Sequence, residues 1–299
     1  MNGMKLSEFV LIRFIRLAPL NVMGILIALA TFALMHPAMA QHYSITAPAF
    51  FKAIFLGIGF IPYENSYGWP YGNYAEIGGV FPLNMPAWSS SFGLLAGIAC
   101  FIYIAIAKKL PSLRFCLTCF GIFAVTILLS QNTNPGWSSG QFLLGLIRVM
   151  GDFFVGALIF KMSMTSSLSK SVIACASFAL VFCLFVVGNK AAVIVNILVL
   201  IPLLIWSMRT VSLTGNIKQV CKGLGLISFP LYIIHIPIIT LLLHQKTFIE
   251  LFRPDIRLCI AILITSIAAI ILSYVDVKIR HFIIQICVQR GLLKTPSGA

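Results

Sequence analysis

The sequence predicts an all-α membrane protein: a polytopic transmembrane helical bundle of about eight spanning helices, both termini cytoplasmic. Three observations predict it: composition, the lengths of the apolar runs, and the placement of positive charge. The chain of 299 residues is 60% hydrophobic and only 9% charged, with a mean hydropathy of +1.03. A soluble fold of this length has no use for so apolar a composition, whereas a bilayer-embedded bundle requires it.

Apolar runs of spanning length fall at residues 17–36, 87–107, 115–130, 142–162, 172–188, 191–208, 224–244 and 258–275. Each is long enough for, or close to, the roughly 20 helical residues that cross a hydrocarbon core. The first follows Lys5, Arg13 and Arg16 and runs too long for a signal-peptide core, so it is expected to stay as a span. Residues 188–190, Gly-Asn-Lys, leave room only for a tight hairpin between the fifth and sixth runs.

Net charge is +14, but the cations sit in short clusters between apolar runs, the pattern of a positive-inside membrane protein. No nucleic-acid partner is expected; the lipid bilayer is. Fifteen Lys and Arg fall on alternate connections (three in 5–16, three in 108–114, two in 161–170, three in 209–222, four in 278–294). Five fall on the others: Lys52, Lys190, Lys246, Arg253 and Arg257. The richer side is cytoplasmic, and an even number of spans returns both termini to it. The chain reads as one domain, 1–299, closed by a basic amphipathic helix on the inner surface over 277–294.

The longest outer segment, 37–86, contains an apolar but short and Gly-rich piece at 46–61, expected as an interfacial or re-entrant helix. After it, Tyr63, Tyr67, Trp69, Tyr71 and Tyr74 suit an aromatic interface belt; on a loop they also suit stacking on a sugar ring. The eight cysteines include Cys116-Leu-Thr-Cys119 at the start of a span, where packing is the expected role. No cysteine pairs with a histidine at metal-ligand spacing, and no metal is expected. Phosphate-loop, zinc-protease and nucleophile-elbow motifs are missing from the sequence.

Polar groups inside the spans are costly and mark candidate sites. Ser228, Tyr232 and His235 lie at i, i+4 and i+7, one face of a helix. His235 suits a general base or acid, though a histidine that merely hydrogen-bonds a neighbouring helix fits the spacing equally well. Arg148 and Asp152 lie at i, i+4, suited either to mutual neutralisation or to binding an anionic substrate. Asn84, Trp88, Ser89 and Ser91 cluster where a span begins. There, a capped helix start with an interfacial tryptophan is the simpler expectation.

Several stretches resemble the acyltransferase 3 family of membrane O-acyltransferases. Phe9-Val-Leu-Ile-Arg-Phe-Ile-Arg-Leu-Ala-Pro19 is similar to that family's basic helix start. Leu83-Asn-Met-Pro-Ala-Trp-Ser-Ser-Ser-Phe92 resembles its Asn-x-Pro-x-Trp-Ser-Leu-Ser segment. Ser228-Phe-Pro-Leu-Tyr-Ile-Ile-His-Ile-Pro237 resembles its late Ser-x-Pro-Leu-Tyr-x-x-His-x-Pro helix. Gly145-Leu-Ile-Arg148 with Phe153-Phe-Val-Gly156 resembles its Arg…Phe-x-x-Gly helix. The resemblance implies transfer of an acyl group, often acetyl, from cytoplasmic acyl-CoA to a hydroxyl of a cell-envelope carbohydrate or lipid-linked sugar, in a bacterial inner membrane.

It also implies roles for particular residues. Arg13 and Arg16 would stand at the donor side, and Arg148, Asp152, Tyr232, His235 and Ser228 would line a cavity. Asn84, Trp88 and Ser89 would shape its mouth. The donor acyl-CoA is a substrate, and no bound cofactor is implied. The likeness begins at the family's third helix: the Arg…His helix that usually carries catalysis has no counterpart in this sequence. Gly93 stands where the family has an acid. Two other readings therefore accompany the enzyme: a shortened, inactive relative, and a transporter of a small anion or sugar-lipid that uses Arg148 and performs no chemistry.

Overall fold

The computed structural model describes residues 4–39, 47–62, 81, 83–133, 135–136, 139–162, 168–209, 211, 214–244 and 246–293, and among them every regular element is helical. In chain order these are α1 (Leu6–Met39), α2 (Ala47–Ile58), α3 (Ala87–Ala107), α4 (Leu113–Ser130), α5 (Phe142–Lys161), α6 (Leu168–Val187), α7 (Lys190–Val195), α8 (Ile201–Met208), α9 (Gly215–His244), α10 (Lys246–Leu251) and α11 (Pro254–Gln289). Seven rods are long and apolar enough to cross a membrane, with α7 and α8 counted as one; α6 adds a shorter apolar stretch, Val172–Val187. The chain is a polytopic helical membrane protein, and all eight expected spans are helical.

Two boundaries differ from expectation, and both matter. First, α9 begins at Gly215 rather than near 224, continuing through Lys218 and Lys222. Tyr232 and His235 therefore lie in its second half. Second, residues 277–289 form no separate amphipathic element: they continue α11 without a break. Nothing between Val275 and Gln289 interrupts a helix, and the i, i+4 pair of Asp276 with Arg280 bridges the junction. The helix stops only at Gly291, whose φ of 68° lets Leu292 N–H reach back to Cys287 O at 2.9 Å.

Contacts divide the chain into two compact units. The first comprises Met1–Leu94, Trp137–Gly140 and Gln219–Ala299. Its core joins α1, α9 and α11: Ile233, Ile234 and Ala269 pack with Ile27 and Leu272. Ile15 packs with Cys287 and Leu293, flanked by Leu11, Ile283 and Ile284. Within α9, Pro230 and Pro237 are both fully buried. The amphipathic α2 rests on α1 through Ala53, against Ile25 and Leu83, while Phe55 on its other face is 70% exposed. At 12 residues, about 18 Å, α2 is too short to cross a bilayer.

The second unit comprises Leu95–Gly136 and Gln141–Lys218. Phe123 and Ile127 of α4 pack with Ile194 of α7, and Ile147 of α5 joins them. The Ser112 hydroxyl caps α4 by accepting from Phe115 N–H at 3.2 Å. The expected hairpin between α6 and α7 is present: Gly188 adopts a φ of 68°, and Asn189 caps α7 through Ala192 N–H at 2.8 Å. Between α7 and α8 a single π-helical stretch, Asn196–Leu200, precedes Pro202, which cannot donate to the preceding turn. On one edge, Arg209 donates to the carbonyls of Ile159 and Met162 at the end of α5, and Lys161 donates to Pro111 O at 3.0 Å. Arg209 thus gives the carbonyls that close α5 a cationic partner.

Residues 63–80, with the aromatic group from Tyr63 to Tyr74, lie outside the described residues.

A close approach between α4 and α5 gives a test. A Cβ on Gly151 would lie 2.5 Å from Phe123 Cβ, whereas a Cβ on Gly156 of the same helix meets nothing within 4 Å. Gly151→Ala is expected to destabilise the protein by about 1–3 kcal/mol through overpacking, and Gly156→Ala to leave it unchanged or slightly firmer. Thermal unfolding of the two purified variants in one detergent checks the contrast.

Candidate functional site

A buried amide relay positions the start of α3. Asn21 of α1 is 0% exposed. Its Nδ2 donates to Gly57 O at the end of α2, at 2.7 Å, and its Oδ1 accepts from Asn84 Nδ2 at 2.9 Å. The order of donors fixes both amide orientations, because a carbonyl only accepts. Asn84 Oδ1 is then left buried with no hydrogen-bond partner among the described residues, a situation that costs about 1–3 kcal/mol. The relay fits only because residue 24 is glycine: a Cβ there would lie 2.6 Å from Ile233 Cγ2 and 2.7 Å from Asn84 Nδ2.

The same relay corrects the expected helix cap. Neither Asn84 nor Ser89 caps α3 with its side chain. The Asn84 side chain is engaged by Asn21, and the first amides turn back onto local carbonyls, Ala87 N–H on Asn84 O at 2.9 Å and Trp88 N–H on Met85 O at 3.3 Å.

Two residues beyond Asn84, three oxygens meet. Tyr232 OH donates to Pro86 O at 3.1 Å, Ser89 Oγ lies 3.2 Å from the same carbonyl, and the two hydroxyls are 2.8 Å apart. Two protons serve three oxygens. With Tyr232 donating to Pro86 O, the Ser89 proton serves either that carbonyl or the Tyr232 oxygen, and Ser89 Oγ keeps its lone pairs. The structure thus brings Ser89 and Tyr232, 143 residues apart in sequence, into direct contact.

His235 belongs to the same helix face. Its Nδ1 lies 2.7 Å from Tyr232 O, and the two rings are 5.9 Å apart. A carbonyl cannot donate, so Nδ1 carries the proton and the neutral ring presents its lone pair at Nε2. The group is chemically equipped to take a proton from a hydroxyl.

The remaining candidates fall elsewhere. Ser228 does not join the seam: its hydroxyl bonds back to Gly225 O at 2.9 Å and is exposed. It sits two residues, little more than half a turn, before the buried Pro230, and a serine in a helix readily satisfies itself on the preceding turn. Trp88 is buried, edge-on to Phe92 at 6.0 Å, and not a surface belt residue. Arg13 stacks over Phe9 at 5.3 Å, and Arg16 is exposed. Arg148 and Asp152 are in the second unit, where Nε and Oδ2 stand 3.8 Å apart, the carboxylate being half exposed. No group of His, Cys, Asp and Glu suited to a metal occurs among the described residues.

Three residues carry structural roles that sequence reasoning did not assign them. Asn21 is one; an asparagine within an apolar run is the available signal, because such a group seeks a partner on another helix. Ser91 is buried and donates to Phe60 O at 2.8 Å, a role that spacing does not reveal. Asp276 is 1% exposed and paired with Arg280; the i, i+4 Asp-Arg spacing in a charge-poor helix could have found it.

No protein-family model, curated protein or solved structure matches the chain. Fold and site alone define it as a polytopic helical membrane protein with a polar cluster at the α1–α3–α9 junction.

Two measurements test this geometry. In ¹⁵N-histidine-labelled protein, neutral His235 is expected to show a protonated Nδ1 and a bare Nε2 by nitrogen chemical shift. Single and double substitutions Tyr232→Phe and Ser89→Ala are expected to be non-additive in stability, with a coupling of about 0.5–1.5 kcal/mol; independent effects would mean the hydroxyls do not interact.

Proposed function

We propose that the protein is a membrane-bound acyltransferase that moves an acyl group, acetyl being the simplest, from acyl-CoA to a hydroxyl of a cell-envelope carbohydrate or lipid-linked sugar in a bacterial inner membrane. The observation that carries this reading is the cluster of Ser89, Tyr232 and the Pro86 carbonyl, with His235 turned to present Nε2 on the same helix. The cluster is rich in lone pairs and holds no cation. It suits a ligand that donates hydrogen bonds, as a polyol does, and it suits an anion poorly.

In this reading Ser89 Oγ orients an acceptor hydroxyl and His235 Nε2 takes its proton. The hydroxyl oxygen attacks the thioester carbonyl, the C–S bond breaks, and the proton passes to the departing sulfur, leaving an ester and free CoA thiol. Tyr232 positions the histidine by offering its main-chain carbonyl and holds Ser89 with its phenol. The basic helix ends, Arg13 and Arg16 among them, lie on the side expected to be cytoplasmic and suit a phosphate-bearing donor. The sequence resemblance to the acyltransferase 3 family supports the same assignment.

The test is transfer from radiolabelled acetyl-CoA to envelope polysaccharide in membranes carrying the intact chain. His235→Ala is expected to lower the rate roughly 10²–10⁴-fold, the range of general-base catalysis, and Tyr232→Phe by less, since the carbonyl partner of His235 survives. Undiminished transfer in His235→Ala would remove the histidine from the mechanism. Absence of transfer by the intact chain would overturn the enzyme reading.

A further inference from the structure

We propose that α2 is a movable cover over the buried carbonyl of Asn84, latched by its own strained C-terminal turn. The inference rests on reading the Asn84–Ser89–Tyr232 region as the place where a hydroxyl-bearing acceptor binds.

Four observations lead to it. First, Asn84 Oδ1 is an acceptor without a partner among the described residues, on a side chain that is 2% exposed. A native interior seldom leaves such a group unmet unless another state uses it. Second, α2 is what lies over it: Ala53 of α2 packs on Ile25 and on Leu83, the residue before Asn84, and Gly57 O accepts from the Asn21 amide that also holds Asn84. Third, α2 is too short to span, and its outward face is mainly apolar, with Phe51 and Phe55 exposed beside Lys52. Those exposed aromatics suit lipid, so α2 can lift away from α1 without entering water.

The fourth observation is the latch. The turn closing α2 follows the Schellman pattern, with Phe60 N–H on Gly57 O at 3.2 Å and Ile61 N–H on Leu56 O at 2.9 Å. That pattern calls for glycine at its left-handed position, yet Phe60 occupies it with a φ of 56°. A phenylalanine stays there only while its surroundings hold it. The holders are Ser91 Oγ, donating to Phe60 O at 2.8 Å, and Phe14, whose ring meets Phe60 edge-on at 6.1 Å. Releasing either lets the backbone relax toward an ordinary conformation, so the closed turn opposes its own closure. Opening hands Asn84 Oδ1 to a ligand hydroxyl two residues from the Pro86 carbonyl.

The experiment reads opening directly, by the rate at which a maleimide labels Leu83→Cys in the full-length detergent-solubilised protein. Peptide-resolved mass spectrometry follows position 83, and the native exposed Cys259 of the same unit serves as reference. With the latch intact, position 83 is expected to react far more slowly than Cys259. Adding Ser91→Ala is expected to raise its rate about three- to tenfold, the fold-change of one lost hydrogen bond, with Cys259 unchanged; Ser91→Thr keeps the parental rate. Should Ser91→Ala not fold, Phe14→Ala decides, because it frees the same turn from the other side.

Equal rates at position 83 with and without the latch overturn the proposal. So does a parent that labels as fast as Cys259, or a rise shared by both positions, which reports general loosening. Labelling needs no acyl transfer. A latch-dependent rate in a protein that transfers nothing sinks the enzyme reading alone, and an active protein with latch-independent labelling sinks the cover alone.

Discussion

The arrangement around the polar cluster depends on one side chain, the amide of Asn21. It simultaneously holds the end of α2, through Gly57 O, and the segment leading into α3, through Asn84. In hydrocarbon a primary amide has no water to fall back on, so its two bonds are hard to exchange for others. Everything near the site is placed relative to that fork. Asn84 sets Pro86, Pro86 receives the Tyr232 phenol, and Tyr232 offers the carbonyl that selects the proton-bearing nitrogen of His235. The absence of a side chain at Gly24 makes room for this sequence of contacts.

The architecture was legible in the sequence because bilayer physics leaves little choice. A run of apolar residues long enough to cross has to be helical, since its backbone must satisfy itself internally. That is why all eight spans, the hairpin at Gly188–Lys190 and a short helix within 46–61 could be anticipated. Boundaries were less legible where lysines interrupt hydropathy without interrupting the helix. Lys218 and Lys222 made α9 look shorter than it is, and the cations of 278–290 made the end of α11 look like a separate element. Helix geometry tolerates long cationic side chains, which keep their charge in water while their stems stay on the helix.

The site was only half legible. Ser89, Tyr232 and His235 were readable as polar intruders, but which of them meet was not. Helical periodicity groups Ser228 with Tyr232 and His235, whereas the tertiary packing pairs Tyr232 with Ser89 on another helix and leaves Ser228 to its own backbone. Periodicity describes a face; it does not say what lies opposite. Asn21 went unnoticed and Ser91 was grouped only with the start of α3 for the same reason, since the main-chain carbonyls that receive them, Gly57 O and Phe60 O, are marked by no side-chain pattern. The charged groups sort differently: Asp276 and Asp152 each have an arginine one turn away on the same helix, a local solution that sequence spacing does express.

Pro230 and Pro237, both buried within α9, bracket Tyr232 and His235. Each lacks the N–H that would join it to the residue four earlier, so α9 has two weakened turns rather than one. Their spacing of seven residues is close to two full turns, which puts both weaknesses on nearly the same side of the rod. Two hinges with parallel axes add their compliance in one plane and contribute almost none across it. The segment carrying the phenol and the imidazole is consequently a lever with a single preferred direction of bending, and the two groups travel along it together.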